Sequence, residues 1–367
     1  MASPASEHPP EAAHRENPGK TLRVGIIGCG GISDMHFRTL KEMPDVEVVA
    51  AVDPFTDRLR KVQEKYAVAE VFQDWKDMLR SVPLDGVDVC APNAVHAAAV
   101  IDALNAGCHA ITEKPMARTP AECQAMIDAA KKNERKLAIA FQYRFHPYTR
   151  FLAQARDEGD LGKIMFAKCL GLRRRGIPNW GVFGQKALQG GGPLIDLGVH
   201  IIEMAHYVMG SPQPRAASGN IWTYFGNKPS AICYAWPGWD HATYTVEDLA
   251  IGQIRFDNGA ILQVEASFVA HIEKDVWNFS LMGERGGCTW EPPTVFTDRA
   301  GHMINYSPAH TADGSFAALF QMKLRNWVDA CLHDRPLEAP GEAGMAVQKM
   351  IDGIYRSAAE GREVAID

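Results

Sequence analysis

No run of about 18 consecutive apolar residues occurs in this sequence, so nothing in it reads as a helix that spans a bilayer. Basic residues are not in excess: 38 Lys and Arg stand against 44 Asp and Glu, and a net charge of −6 gives no field to attract nucleic acid or an anionic membrane surface. Neither is expected as a partner. The eight cysteines, at 29, 90, 108, 123, 169, 233, 288 and 331, form no Cys-x-x-Cys motif and no zinc-spaced set with histidines, so no metal is expected. Several lie in apolar runs and read as buried thiols of a protein kept in a reducing cytoplasm. Residues 1–20, rich in Pro, Ala and Glu, carry neither an apolar segment nor twin arginines; they read as a disordered tail, neither signal peptide nor anchor.

What is present is enough for two domains: 367 residues at roughly 150 per domain. Near the start, Leu22-Arg23-Val24-Gly25-Ile26-Ile27 is a short apolar run that reads as a buried parallel strand. It leads directly into Gly28-Cys29-Gly30-Gly31-Ile32-Ser33. Glycines at 28 and 30 permit a tight turn and a close backbone approach to a pyrophosphate, whose charge would rest at the N-terminus of the next helix. Ser33 stands where a third Gly or Ala is usual, a small departure at the point where helix packs on strand. The second strand, Val46 to Val52, ends in Asp53, about 20 residues beyond the glycine loop, where an acid would bind the adenosine ribose of NAD. Asp53 would repel the 2′-phosphate of NADP, and Arg58, a turn later, would offset that only in part; the balance favours NAD.

Gly86 to Ala91 reads as a strand broken at Pro92-Asn93, followed by an alanine-rich helix from His96 to Ala106 and a strand from Cys108 to Thr112. That strand ends in Glu113-Lys114-Pro115. Pro115 biases Lys114 away from helical dihedrals, placing the lysine at the carboxyl edge of a parallel sheet, where ligands bind. Further on, Gly190-Gly191-Gly192-Pro193 precedes Asp196 and His200. At i, i+4 on a helix their Cβ atoms would lie about 6 Å apart, so both could reach one small substrate, or the acid could orient the imidazole.

Beyond residue 148 the pattern changes. A helix is expected from Tyr148 to Glu158, a strand from Lys163 to Leu170, and strand-like runs from 217 to 292. Alternation over 250–256 and 260–266 around Asp257-Asn258-Gly259 is a hairpin signal. Helices at about 315–333 and 341–359 close the chain, with Gly361 as a cap. Arg173-Arg174-Arg175 and Trp180 either wall a pocket, with Arg174 donating to hydroxyls and Trp180 stacking on a sugar face, or form a solvated basic turn. A second aromatic loop, Trp236 to His241, invites the same two readings.

The Gly28-Cys29-Gly30 loop, Pro92-Asn93 with His96, Glu113-Lys114-Pro115, Tyr143-Arg144-Phe145-His146-Pro147 and the Asp196–His200 pair, in this order, resemble the Gfo/Idh/MocA oxidoreductases. The resemblance implies an α/β chain: an NAD-binding Rossmann domain at 21–145, then a substrate-binding and oligomerising α+β domain at 146–367 with a large, mostly antiparallel open sheet. It implies an NAD(P)-dependent enzyme acting on a secondary hydroxyl of a sugar, glycoside or polyol, with C3 of a glucoside one candidate, and a homodimer or homotetramer. Carried over, Lys114 contacts cofactor and substrate, His200 is the acid/base and Asp196 binds substrate or orients His200. Gly28, Gly30, Gly31, Ile32, Ser33, Asp53, Arg58, Pro92, Asn93, His96 and Glu113 line the cofactor; Tyr143 and Arg144 join the substrate side. Lys114-Pro115 is expected in cis. Relatives that eliminate an aglycone with no net redox change, or that only sense NAD and sugar, are the alternatives.

Overall fold

The computed structural model describes residues 21–230, 232 and 235–367; the expected tail and Cys233 lie outside the described residues. The first half alternates strand and helix: β1 Leu22–Ile27, α1 Ser33–Lys41, β2 Val46–Val52, α2 Thr56–Tyr66, β3 Glu70–Phe72, α3 Trp75–Ser81, β4 Gly86–Val89, α4 Asn93–Asn105, β5 His109–Thr112, α5 Pro120–Lys132 and β6 Leu137–Ile139. The six strands form one parallel sheet in the order β3-β2-β1-β4-β5-β6. Short, mostly apolar strands suit such a sheet, because helices bury both faces; β4 is buried at every position, its Asp88 included. The order reverses between β1 and β4, which opens a crevice at their carboxyl ends.

The second half begins with a 3-10 turn at Gln142–Phe145 and α6 Pro147–Asp157, followed by β7 Ile164–Leu172 and the short α7 Lys186–Gln189. A π-helical turn at Leu194–Gly198 runs into α8 Val199–Val208. Then come β8 Pro214–Trp222, β9 Leu249–Phe256, β10 Ile261–Ser267, β11 Val276–Gly283, β12 Gly286–Thr289, β13 Thr294–Arg299, β14 His302–Tyr306, α9 Phe316–His333, α10 Gly341–Glu360 and β15 Val364–Ala365. Their nine strands order as β14-β13-β12-β11-β7-β10-β9-β8-β15; β7 and β10 run parallel and the other pairs antiparallel. The expected hairpin is β9–β10, with Gly259 at φ +85° supplying its left-handed turn position.

α8 and α10 cover one face of this sheet, and alternation along β9 and β10 sends Ala250, Ile254, Leu262 and Val264 into that core. α9 takes the other direction. It packs on α1 and β1, and Trp327 lies fully buried among Leu22, Val24 and Ile26. The segment 146–367 therefore does not stay wholly with the second sheet, since its helix α9 completes the core of the first domain.

Candidate active site

The dinucleotide half of the site starts where β1 ends. Gly28 has φ +96°, and a Cβ there would lie 2.7 Å from Cys90 and Ala91 backbone atoms, so only glycine lets β1 and β4 approach this closely. Beyond Gly30 and Gly31 the space is open: a Cβ on either would meet no atom within 4 Å. No side chain caps α1, whose N-cap is Ile32. Ser33, the departure from the glycine pattern, is buried and donates its hydroxyl to Gly30 O at 2.6 Å, bracing the loop from below. Asp53 is buried at the end of β2, accepting the Cys29 N–H at 2.9 Å and the Phe55 N–H at 3.0 Å, with Arg58 Nη1 at 3.4 Å. Burial and then Asp53 push the Cys29 thiol up to about 12, so it stays protonated. An open cradle at a helix N-terminus with an acid beside it fits a dinucleotide pyrophosphate and ribose.

Lys114 follows β5 at the same sheet edge, and the Lys114–Pro115 bond is cis. Its ammonium lies 2.9 Å from Asp196 Oδ1 and 3.1 Å from Asp196 O. Asp196 sits in the π-helical turn, a form that recurs at functional sites. Buried Glu247 holds the start of that turn, accepting the Gly192 and Leu194 N–H groups at 2.9 and 3.1 Å and the Tyr355 hydroxyl at 2.8 Å. Asp196 is thus committed to Lys114, and no hydrogen bond joins it to His200 among the described residues.

His200, at the start of α8, is 8% exposed. Its imidazole nitrogens have no hydrogen-bond partner among the described residues; the edges of Tyr143 and Trp277 pack on the ring at centroid distances of 5.2 and 6.1 Å. Burial, and then the Lys114 charge, hold its pKa well below the usual histidine value, so the ring is neutral near pH 7. Arg173, just beyond β7, faces the same space: burial lowers its pKa, while Asp196, Asp275 and Tyr143 oppose that. Its guanidinium stacks over Trp236 at 4.9 Å, and Trp180 packs edge-on against Trp236 at 4.8 Å, leaving a half-exposed aromatic rim.

Several expected contacts fall elsewhere. Arg144 is buried in an ion pair with Glu203 at 2.6 Å, its face on Tyr207, so it braces α8 and cannot reach a substrate. The same pair occupies the Glu203 carboxylate. Arg174 points outward and donates to Glu273 O at 2.7 Å; Arg173 holds the pocket position instead. His96 is fully buried with its nitrogens at the carbonyls of Pro115 and Ala91, at 2.9 and 2.8 Å, so it braces the Lys114 turn and does not line the nicotinamide side. Glu113 is 6% exposed, its carboxylate taken by His36 and Lys323. Pro92 caps α4, and Asn93, its first residue, donates to Gln189 O at 2.9 Å. Trp277 and Glu247 were not singled out from sequence, and within the arginine run Arg174 was chosen where Arg173 turns inward. The arginine run was visible, but which arginine turns inward depends on where β7 ends.

A dinucleotide cradle that shares its sheet edge with a lysine, a carboxylate and an unbonded imidazole defines a two-domain, dinucleotide-dependent oxidoreductase. Residues 22–141 match the oxidoreductase family's NAD-binding Rossmann fold, and 157–366 match the same family's C-terminal alpha/beta domain. The chain belongs to the Gfo/Idh/MocA family of oxidoreductases. It is 37% identical over 348 residues to the D-glucoside 3-dehydrogenase of Escherichia coli K12, covering 94% of this chain and 97% of that one. It is 28% identical over 327 residues to the levoglucosan dehydrogenase of Pseudarthrobacter phenanthrenivorans, covering 79% and 82%. A solved levoglucosan dehydrogenase with NADH and levoglucosan superposes with a TM-score of 0.82 at 24% identity, over 95% of this chain and all of that one.

Proposed function

We propose that this protein is an NAD-dependent dehydrogenase that oxidises a secondary hydroxyl of a sugar or glycoside, with C3 of a glucoside the favoured position. The observation that carries the reading is the Lys114–Asp196 pair beside a neutral, unbonded His200 at the mouth of the dinucleotide cradle. The names of the two relatives support the substrate class. A nicotinamide dinucleotide held by the Gly28–Ser33 loop and Asp53 would supply the hydride acceptor for the carbinol carbon. His200 accepts the hydroxyl proton, and the Lys114 ammonium holds the developing alkoxide, kept on target by Asp196. Tyr143 and Trp277 shield this proton transfer from water, while Arg173, Trp236 and Trp180 form the wall for the rest of the sugar. Asp53 favours NAD over NADP. The uncovered face of the nine-stranded sheet is read as a contact with a second copy.

His200→Ala and Lys114→Ala test the roles. Each is expected to lower turnover by roughly 10²-fold or more while NAD affinity stays within about tenfold. Normal turnover in either variant would remove the role assigned to that residue.

A further inference from the structure

Beneath the Lys114 turn lie four ionisable side chains that the chemistry above does not use: His36 on α1, Asp88 on β4, Glu113 after β5 and Lys323 on α9. All are buried, between 0% and 6% exposed. His36 Nδ1 lies 2.6 Å from Asp88 Oδ2, and His36 Nε2 lies 2.9 Å from Glu113 Oε1. Lys323 Nζ donates to the same Glu113 oxygen at 2.6 Å. The other oxygen, Oε2, accepts the backbone N–H of Lys114 at 3.3 Å. Lys114 is therefore held at both ends, its backbone by Glu113 and its ammonium by Asp196.

Burying charge is costly, and an apolar cluster of similar volume would serve stability equally well. The arrangement gains meaning from what it touches. Burial, and after it the Lys323 charge, work against a charged His36, but Asp88 and Glu113, one at each ring nitrogen, outweigh them and raise its pKa. Glu113, in turn, is pushed up by burial but held well below its usual value by Lys323 and His36. The Cys90 thiol, 3.6 Å from Asp88 Oδ1, lies at the edge of the same group. With both His36 nitrogens hydrogen-bonded, the geometry is that of an ion-pair cluster and not of a vacant ligand set.

We propose that this cluster is a positioning device for Lys114, in which Lys323, brought by α9 from the far end of the chain, sets both the aim of Lys114 and the field at His200. The proposal rests on the roles given above to Lys114 and His200. The titratable groups that act on or pack against His200 are Lys114 and Glu113 after β5, Lys323 from α9, Arg173 after β7 and Tyr143 from the 3-10 turn. Lys114, Lys323 and Arg173 act against its protonation and Glu113 acts for it.

The test compares Lys323→Met, Lys323→Arg and Glu113→Gln for kcat, KM, NAD affinity, thermal midpoint and the pH profile of kcat/KM for alcohol oxidation. Lys323→Met should lower kcat by roughly tenfold or more, since Lys114 loses its aim, with NAD affinity within about twofold. Its acid limb should move to higher pH, because a charge opposing His200 protonation is gone; Glu113→Gln should move the limb to lower pH. Lys323→Arg should restore the parent profile. Limbs that stay in place, or move together, would overturn the proposal and leave only a structural role. If Lys323→Met does not fold, the nearly isosteric Glu113→Gln still gives the sign. An active His200→Ala would instead overturn the underlying reading.

Discussion

At His200, burial and the Lys114 charge act in the same direction, and the consequence is a sign for the pH profile. Oxidation needs the neutral ring, and the neutral ring persists below the usual histidine range. The kcat/KM for oxidation should therefore show no acid limb between pH 8 and 6.5 from this group, falling only at lower pH; a limb centred at or above 6.5 would contradict the assignment. Asp53 carries a second prediction. Asp53→Ser removes the carboxylate that would face a 2′-phosphate while Arg58 stays in place, so NAD should bind more weakly and NADP more tightly. Direct titration with both cofactors decides it, and unchanged preference would remove Asp53 from the ribose site. Lys114, Asp196 and His200 were legible in the sequence because strand ends and helical spacing announce them. Arg173 was not. The strand expected to stop at Leu170 continues to Leu172, and strand parity beyond that point puts Arg173 inward and Arg174 outward.

Among elements, the π-helical turn decides how the acid and the histidine are used. A regular helix would set Asp196 and His200 one above the other, whereas the extra residue per turn lets Asp196 reach Lys114 while His200 stays unbonded. The sequence showed the spacing but not the widened turn, because that turn is fixed from outside by Glu247 and Tyr355. Gly192 allows this: a Cβ there would collide with the Glu247 carbonyl. Gly192→Ala should cost roughly 1–3 kcal/mol of stability and at least tenfold in kcat, with NAD affinity unchanged; a variant with parent kcat would show that the turn tolerates displacement. Elsewhere the glycine loop, the β9–β10 hairpin and α10 followed their local signals closely. The three-residue β3 and the short α3 were not anticipated, since segments so short carry too few residues to show a period.

For the whole molecule, the nine-stranded sheet exposes a row of apolar side chains. Phe296, Met282, Phe166 and Ile261 fall in register across β13, β11, β7 and β10, and Met282 is 57% exposed. A second copy packed there would bury this row. Met282→Asp is expected to shift a dimer or tetramer towards a smaller species by light scattering while the chain remains folded; an unchanged mass would place any assembly elsewhere. The two-domain plan was legible from pattern alone, but the return of α9 to the first domain was not, because Trp327 and Lys323 find partners nearly 300 residues earlier in the chain. The measurement that reaches furthest is absorbance in the NADH band, with purified protein, NAD and a panel of glucosides, free hexoses, inositols and sugar acids, and NADP alongside. A rise with NAD and a glucoside, lost in His200→Ala, is the expected result. Bound NAD with no absorbance change across the panel, or an aglycone released without net NADH, would contradict a dehydrogenase and point to a sensor or a redox-neutral glycosidase.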